Sequence, residues 1–599
     1  MNQLDSYAIV ARLRAQWRNS LRHYDNFTLR RDLIAGLTVA FVALPQSIAY
    51  ALIAGVPAQY GIYAFITGSI VAAAFGSSRH LQSGPTNASS IVIASTLAVY
   101  AAQENFIGVV FLLGFLAGSL QLAAGLLQLG NLTEFISKAV LTGFIAAAGL
   151  LIMTNQLPNL LGFSKQSNMM ALDGILNVVR HLDQINPAAL AIGAGTILGA
   201  LFIQKYCPKS RLGLPLLPPY LTALLAAAAV VWLLELEGQG LRLVGEILSS
   251  LPPLSLPVFD WKTIQALSAG ALALGLIGLA ESYSAAKSAA AFTGDKIDPD
   301  QELIGQGTAK IVTAFLSGMP VSGSITRTLL NYRAGALTRF ANVFAGIFVA
   351  LAGLLISPVM RYLPVAALAG ILMLIAATMV NWHEAKIAWH TTRGDRAALL
   401  TTFIGALVFP LDQAIFIGVG ISIILFLRKV RKPRLTELVY DWHLGFKELD
   451  ASQPHPLPEI AIVHISGDVF FGTAEFLENE LLRIAHRPEL RVLILRMRGA
   501  ACLDATFVLS LMKVHEYMKA GGKLLLISGA TSEAARVLER SGLEASIGRE
   551  NIFFTDATLF KATRHAIDRA VEFLEQEGGN TSGASRQPAA AQPIAPQSQ

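Results

Sequence analysis

The chain has 599 residues, of which 53% are hydrophobic and only 14% charged, and its mean hydropathy is +0.53. These values exclude a chain built mainly of water-soluble domains. The formal charge of +6 does not point to nucleic acid, because the basic residues cluster beside apolar segments, where they set orientation and attract anionic head groups.

Residues 1–31 are polar and Arg-rich and read as a cytoplasmic N-terminal segment. No cleavable signal peptide is expected, since the first apolar stretch is a full-length span without a small-residue cleavage site. Apolar segments follow near Leu33–Ile53, Tyr60–Phe75, Ala88–Tyr100, Phe106–Leu127, Lys138–Leu157, Pro187–Ile203 and Pro215–Leu234. A second set lies near Ile264–Ser284, Leu303–Leu316, Ser324–Ala334, Thr338–Ile356, Leu363–Val380, Arg396–Leu411 and Ala414–Leu427. The pattern predicts an α-helical polytopic membrane protein with about 14 transmembrane segments over residues 32–427. Arg12, Arg14, Arg18, Arg22, Arg30 and Arg31 precede the first span, and Arg428, Lys429, Arg431, Lys432 and Arg434 follow the last, so both ends are expected in the cytoplasm. Threading an even number of spans puts Arg79, Lys205, Lys209, Arg211, Lys386 and Arg393 inside, and Glu235, Glu237, Glu246 and Asp260 outside. Cys207 and Cys502 are too far apart to suggest a disulfide framework or a thiolate metal site.

Two segments are too short to cross. As a helix Ala88–Tyr100 reaches only about 20 Å and Ser324–Ala334 less, against a hydrocarbon core of about 30 Å. Similar Gly- and Pro-containing stretches precede them, Ser83-Gly84-Pro85-Thr86-Asn87-Ala88 and Ser317-Gly318-Met319-Pro320-Val321-Ser322-Gly323-Ser324, and both segments occupy the third place of their half. Seven spans per half, residues 32–234 and 261–427, make the halves enter the membrane in opposite senses. This is the inverted-repeat pattern of secondary transporters, whose site lies near the midplane between half-helix N-termini. Two such N-termini offer free N–H groups and partial positive charge to an anion. The competing reading is that the Gly-Pro pairs only kink ordinary spans.

The stretches Asp32-Leu33-Ile34-Ala35-Gly36-Leu37, Leu44-Pro45-Gln46-Ser47-Ile48-Ala49-Tyr50-Ala51, Gly84-Pro85, Gly278-Leu279-Ala280-Glu281-Ser282 and Ser322-Gly323-Ser324-Ile325-Thr326-Arg327-Thr328 resemble the sulfate permease family of anion transporters. The resemblance runs from about Arg30 to about Arg569. It implies two inverted repeats of seven arranged as core and gate domains, a homodimer, and a cytoplasmic α/β STAS domain of the kind found in anti-sigma-factor antagonists. Gln46 and Tyr50 lie one helical turn apart on one face, and the resemblance implies that both contact substrate; an interhelical hydrogen bond and an interfacial aromatic are the alternatives. Asn87 and Ala88 are expected to offer backbone N–H groups at the third segment. Ser324 is expected to do the same from the tenth and to add its hydroxyl, with Ser322 and Thr326 as local caps.

Glu281 is a carboxylate deep in an apolar span, where an ionisable group is read by default as functional. Arg327 is its expected partner, by the repeat geometry and by the resemblance. Desolvation favours the protonated acid and a nearby guanidinium the ionised one, a balance that suits a proton carrier. A purely structural ion pair and a Na⁺ site, as in bicarbonate-transporting relatives, are the alternatives.

Residues 428–458 read as a cytoplasmic linker that ends in Ser452-Gln453-Pro454-His455-Pro456-Leu457-Pro458. Residues 459–577 read as the STAS domain, with strands at Ile460–Ile465, Val492–Met497 and Lys523–Ile527 alternating with helices at Thr473–His486, Ala505–Ala520 and Ser532–Ser541. Thr506 stands where anti-sigma-factor antagonists carry a phosphorylatable Ser or Thr, but Ala505 and Phe507 replace the usual Ser and Gly. Asp504 and Thr506 also suit a plain helix cap. The tail, residues 578–599, is expected to be disordered.

There is no P-loop, nucleophile elbow or metal-ligand cluster, so neither an enzyme nor a resident cofactor is expected. The reading is a secondary active transporter that imports a small anion, sulfate first, with H⁺ as coupling ion, in the cell inner membrane. Na⁺-coupled bicarbonate transport, proton-coupled dicarboxylate transport and an uncoupled exchanger or channel remain open, as does a cytoplasmic partner of the STAS domain.

Overall fold

A computed structural model describes residues 17–18 and 24–578, apart from residues 102, 131–136, 164–177, 182, 184, 208–218, 237–239, 245–249, 431–433, 442–444, 450–456, 467–468, 470, 500–502 and 557–559. Lys209, Arg211, Glu237, Glu246, Cys502, Arg12, Arg14, Arg22, Arg431, Lys432 and the tail from residue 579 lie outside the described residues.

The first half contains α1 (Asn26–Ile53), α2 (Ala58–Phe75), β1 (Ser83–Gly84), α3 (Asn87–Leu97), α4 (Phe106–Leu126), α5 (Lys138–Leu161), α6 (Pro187–Tyr206) and α7 (Pro219–Leu233). The second contains α8 (Trp261–Thr293), α9 (Pro299–Phe315), β2 (Ser322–Gly323), α10 (Ile325–Arg333), α11 (Phe340–Met360), α12 (Val365–Met379), α13 (Trp382–Thr391), α14 (Arg393–Val408) and α15 (Leu411–Val430). Every predicted segment coincides with one of these helices, and among the described residues eight helices are long and apolar enough to cross a membrane. Two boundaries differ widely from the sequence reading. α1 starts seven residues before Leu33, because Asp25 accepts the Thr28 N–H at 2.8 Å and caps it. α8 continues to Thr293 through an Ala-rich stretch, and stops where Gly294 turns into left-handed backbone. The ten-residue α13 was not expected. It buries no side chain, so it has no apolar period of membrane length to betray it.

The two halves interleave. α4 packs on α9 and α11 on α2, while α3 meets α8 and α10 meets α1. α11 and α9 stand seven places after α4 and α2, and α10 and α8 seven places after α3 and α1, so each contact recurs with the roles of the two halves exchanged, which is the packing symmetry of a seven-plus-seven inverted repeat. At its centre the repeats hydrogen-bond to each other, β1 pairing antiparallel with β2 in the register Ser83↔Gly323 and Gly84↔Ser322. Glycine is required on both strands. A Cβ on Gly323 would lie 2.7 Å from Ser282 Cα, and one on Gly84 would lie 2.5 Å from the Phe65 ring. Beside the pair Gln82 Nε2 donates to Asn342 Oδ1 at 2.7 Å, and Asn331 Nδ2 donates to the same oxygen at 2.8 Å.

The second compact unit of the chain begins at Ile424. It is a six-stranded sheet in the order β4-β3-β5-β6-β7-β8, formed by β3 (Arg434–Asp441), β4 (Gly445–Glu448), β5 (Ile460–Ser466), β6 (Val492–Gly499), β7 (Leu524–Ala530) and β8 (Ile552–Phe554). β5 to β8 are parallel. Helices α16 (Phe471–Ala485), α17 (Ala505–Ala520), α18 (Ser532–Arg540) and α19 (Leu543–Ile547) pack their apolar residues into one cluster with the strands. α20 (Lys561–Gly578) joins a second cluster with Leu438, Ile462, Ile494 and Leu526. The linker assigned to residues 428–458 is therefore corrected. It contains β3 and β4, which pair antiparallel with each other, and β3 pairs with β5 from Arg434↔Ser466 to Leu438↔Ile462.

Candidate anion site

α3 has 11 residues and α10 has 9, so they rise only about 16 Å and 14 Å. The β1–β2 pair joins the chain just before both. Two helix N-termini are thus brought to one place inside the transmembrane unit, and neither comes from a full-length span. Thr86 caps α3, its Oγ1 accepting from Ser89 N at 3.4 Å. Ser324 caps α10, its Oγ accepting from Arg327 N at 3.4 Å.

Arg327 is the centre of the constellation. It is 0% exposed, projects from the first turn of α10, and its guanidinium donates to Gln46 Oε1 on α1 at 3.3 Å and to the Pro85 carbonyl ahead of α3 at 2.8 Å. The Phe65 ring lies 5.5 Å from the guanidinium carbon, a cation–π contact that partly replaces lost water. One side chain of the second repeat thus ties together two elements of the first. Among the described residues Arg327 Nε has no protein partner. Tyr50, buried one turn after Gln46, is near enough to Arg327 and Glu281 for electrostatic interaction.

Glu281, partly buried on α8, does not form the expected ion pair with Arg327. Its Oε2 accepts from Thr86 Oγ1 at 2.8 Å, so the acid is joined to the residue that caps α3. The neighbouring Ser282 Oγ accepts from Gly323 N at 2.8 Å and holds β2 against α8. The arginine is instead turned toward α1 and Pro85, where two oxygens are in reach.

The donors predicted from the sequence are redistributed. Ala88 N–H is taken by Asn87 Oδ1 at 2.8 Å, leaving Asn87's own N–H as the open donor on α3. Ser324 N–H is taken by Gln82 O at 2.9 Å, so the open donors of α10 are Ile325 and Thr326. Ser322 does not cap α10 as expected; its Oγ donates to Gly278 O at 3.4 Å. Thr326 is exposed and is not the cap either.

Sequence reasoning missed Thr86, Gln121 and Lys310. Lys310 on α9 is also 0% exposed, and its Nζ donates to Gln121 Oε1 on α4 at 2.7 Å. The signal was there: Glu302, Gln306 and Lys310 recur every fourth residue and lie on one buried face of α9. Glu302 accepts from Ser77 and Ser78, and Gln306 Nε2 donates to Ser83 Oγ at 2.7 Å, so the same stripe fixes the approach to β1.

Residues 29–402, more than half of the chain, match the sulfate permease family model. The chain belongs to the sulfate permease family. Residues 454–566 match the STAS domain. As a sulfate permease with a C-terminal STAS domain the protein is a multi-pass anion transporter, not an enzyme. It is 28% identical over 541 residues to the putative sulfate transporter YvdB of Bacillus subtilis (strain 168), covering 88% of this chain and 97% of that one. It is 27% identical to high affinity sulfate transporter 2 of Stylosanthes hamata, covering 90% of this chain and 84% of that one. The fold matches murine solute carrier 26 family member A9, an anion transporter in the inward-facing state, at a TM-score of 0.82 and 17% identity over 96% of this chain and 95% of the other. The transmembrane domain of the cyanobacterium bicarbonate transporter BicA matches at a TM-score of 0.57 and 24% identity, over 67% of this chain and 98% of that one.

In the STAS unit, Asp504 Oδ1 accepts the Phe507 N–H at 2.9 Å and caps α17. Thr506 is exposed in the first turn of that helix, open to solvent but beside a carboxylate.

Proposed function

We propose that this sulfate permease imports sulfate together with protons by alternating access, with the anion held between the N-termini of α3 and α10 and with Glu281 as a proton carrier. The observation that carries this reading is the Thr86 bridge. The residue that caps one anion-facing helix also hydrogen-bonds the partly buried acid, so a change in the acid's protonation acts directly on the binding end of α3. Charge complementarity supports a dianion: two helix N-termini supply roughly half a positive charge each and Arg327 one more, about two in all when Glu281 is protonated. Asn87, Ile325 and Thr326 N–H, Gln46 and Tyr50 complete a donor set suited to a tetrahedral oxyanion. The names of the relatives, sulfate transporters covered over most of their length, agree with the choice of sulfate. A Na⁺ at Glu281 is disfavoured, because the Arg327 guanidinium would repel it.

In this reading the protein is a homodimer in the cell inner membrane, with both termini and the STAS domain cytoplasmic. The cations Arg30, Arg31, Arg79, Lys386 and Arg393 support that orientation. Thr506 is then a regulatory position of the STAS domain, open to a cytoplasmic partner.

The test is uptake by purified protein in liposomes, with labelled sulfate, bicarbonate and fumarate offered under separate proton and Na⁺ gradients. Sulfate accumulation driven by an inward proton gradient is the expected result. Bicarbonate accumulation driven by Na⁺ alone would overturn the assignment.

A further inference from the structure

Resting on that reading, we propose that Lys310 is a second proton carrier, so that each sulfate enters with two protons, one on Glu281 and one on the Lys310 amine, and no net charge crosses. The case starts from what surrounds the amine. Nζ is wholly buried and makes one hydrogen bond, to Gln121 Oε1 at 2.7 Å. Gln121 is itself locked, its Nε2 donating to Gly275 O at 2.7 Å, so its oxygen cannot be exchanged for another group. An ammonium has a charge and three donors to satisfy, and a buried one with a single partner is costly, whereas a neutral amine has no charge to desolvate and one donor fewer.

The amine also has a path of influence to the acid. It lies against Gly278 on α8, where a Cβ would come within 2.9 Å of Nζ, and Gly278 is one helical turn before Glu281. The missing side chain is what lets the lysine approach. Among the described residues no ionised group other than Glu281 faces it from the helices that pack on α9. α4 carries no charged residue and α2 only the phenols Tyr60 and Tyr63. α8 brings Glu281, with Lys262 and Lys287 toward its two ends and Tyr283 beside the acid. On α9 itself Asp300 is in the first turn, and Glu302 is two turns away with its oxygens engaged by Ser77, Ser78 and Gln306. Glu281 is the charge that acts on Lys310, and Lys310 acts on Glu281.

Formal charges then balance in both states that must cross the membrane. Empty, the core holds Arg327⁺, ionised Glu281 and neutral Lys310, which sum to zero. Loaded, it holds Arg327⁺, protonated Glu281, Lys310⁺ and a dianion, which again sum to zero. Both protons come from the water on the entry side as sulfate arrives, and both leave with it on the other. The coupling is reciprocal, the dianion favouring both protonations and the two protons favouring the dianion. A carrier with no net charge in either form meets the least resistance from the bilayer and none from the potential.

The experiment uses the full-length protein in liposomes with the potential clamped by a potassium gradient and ionophore, and labelled sulfate as the probe. With an inward gradient of about one pH unit, two protons give the wild type roughly 100-fold accumulation, since each proton contributes tenfold. That value stays the same at zero potential and at about −60 mV inside, the potential worth tenfold per charge. Lys310→Met, fixed neutral, and Lys310→Arg, fixed positive, both leave one titrating site. Each is expected to accumulate sulfate about tenfold at zero potential and to lose that tenfold at about −60 mV. Wild-type accumulation of only tenfold, or either variant keeping potential-independent 100-fold accumulation, would overturn the role of Lys310 while leaving proton coupling intact. A wild type that ignores the pH gradient would overturn both this inference and the proton-coupled reading beneath it.

Discussion

Changing Gly323 to Ala tests whether the β1–β2 pair positions the anion site. The added methyl lies 2.7 Å from Ser282 Cα, 2.9 Å from Leu81 Cδ1 and 3.0 Å from Ser282 Cβ, against an ordinary carbon–carbon contact of about 3.5–4.0 Å. Two of the three contacts are with the start of the Ser282 side chain and its backbone, which cannot swing away. β2 must therefore back off α8 by roughly 1 Å, which breaks the 2.8 Å bond from Gly323 N to Ser282 Oγ and carries the N-terminus of α10 with it. Overpacking of this kind costs about 1–3 kcal/mol in stability. A displacement of about 1 Å at a positioned site costs on the order of 100-fold in function. The assay is sulfate exchange and thermal unfolding on one preparation, with Gly405→Ala as control, since a Cβ there meets nothing within 4 Å. Gly323→Ala is expected to stay folded with exchange reduced on the order of 100-fold, and the control to match wild type. Undiminished exchange in Gly323→Ala would refute the idea that this pair sets the geometry of the site.

Thr86→Val removes both the cap of α3 and the partner of Glu281; a cap is worth about 1 kcal/mol, so sulfate affinity should fall about five-fold or more, measured by exchange against external sulfate. Cutting the STAS unit at residue 459 should yield an unstable fragment, because it strips β3 from β5, whereas a fragment starting before Arg434 should show a cooperative melt by circular dichroism. Burial, and next the Arg496 guanidinium, hold the His464 imidazole below its usual value of 6.5. The unfolded chain therefore binds the proton first, and that unit should lose stability as pH falls through about 6.5 toward the lower folded value. His464→Phe should flatten this acid dependence in a thermal melt, and an unchanged slope would assign it elsewhere.

Much of the transmembrane architecture was legible because bilayer thickness imposes a length on every span, and α3 and α10 stood out by failing it. Their identity as half-helices followed from the Gly- and Pro-bearing stretches before them. Which atoms bind was not legible. Asn87 and Ser324 each satisfy a backbone group close by, so the open N–H donors move to neighbouring residues, and periodicity says nothing about such local bonds. Arg327 and Glu281 were both singled out, yet their separation depends on Pro85 O and Gln46 Oε1 lying nearer to the guanidinium than the carboxylate does. Lys310 escaped notice because one cation in an apolar span is outvoted in any hydropathy average; its four-residue spacing from Gln306 and Glu302 carried the clue. The β3–β4 pair escaped because its charged, solvent-facing residues, Lys447 and Glu448 among them, made it look like linker, whereas its pairing with β5 is a tertiary fact.

The measurement that bears most directly on the mechanism is made on Glu281→Gln in liposomes, comparing sulfate counterflow exchange with sulfate uptake driven by an inward proton gradient. Glutamine can still accept the Thr86 hydroxyl hydrogen through its amide oxygen, so the cap of α3 and the anion site remain, but the side chain cannot carry a proton. Exchange is expected to persist while gradient-driven accumulation loses at least the tenfold per pH unit that one proton supplies. Full pH-driven accumulation in Glu281→Gln, or a parallel loss of exchange and accumulation with lowered thermal stability, would contradict proton coupling through this residue.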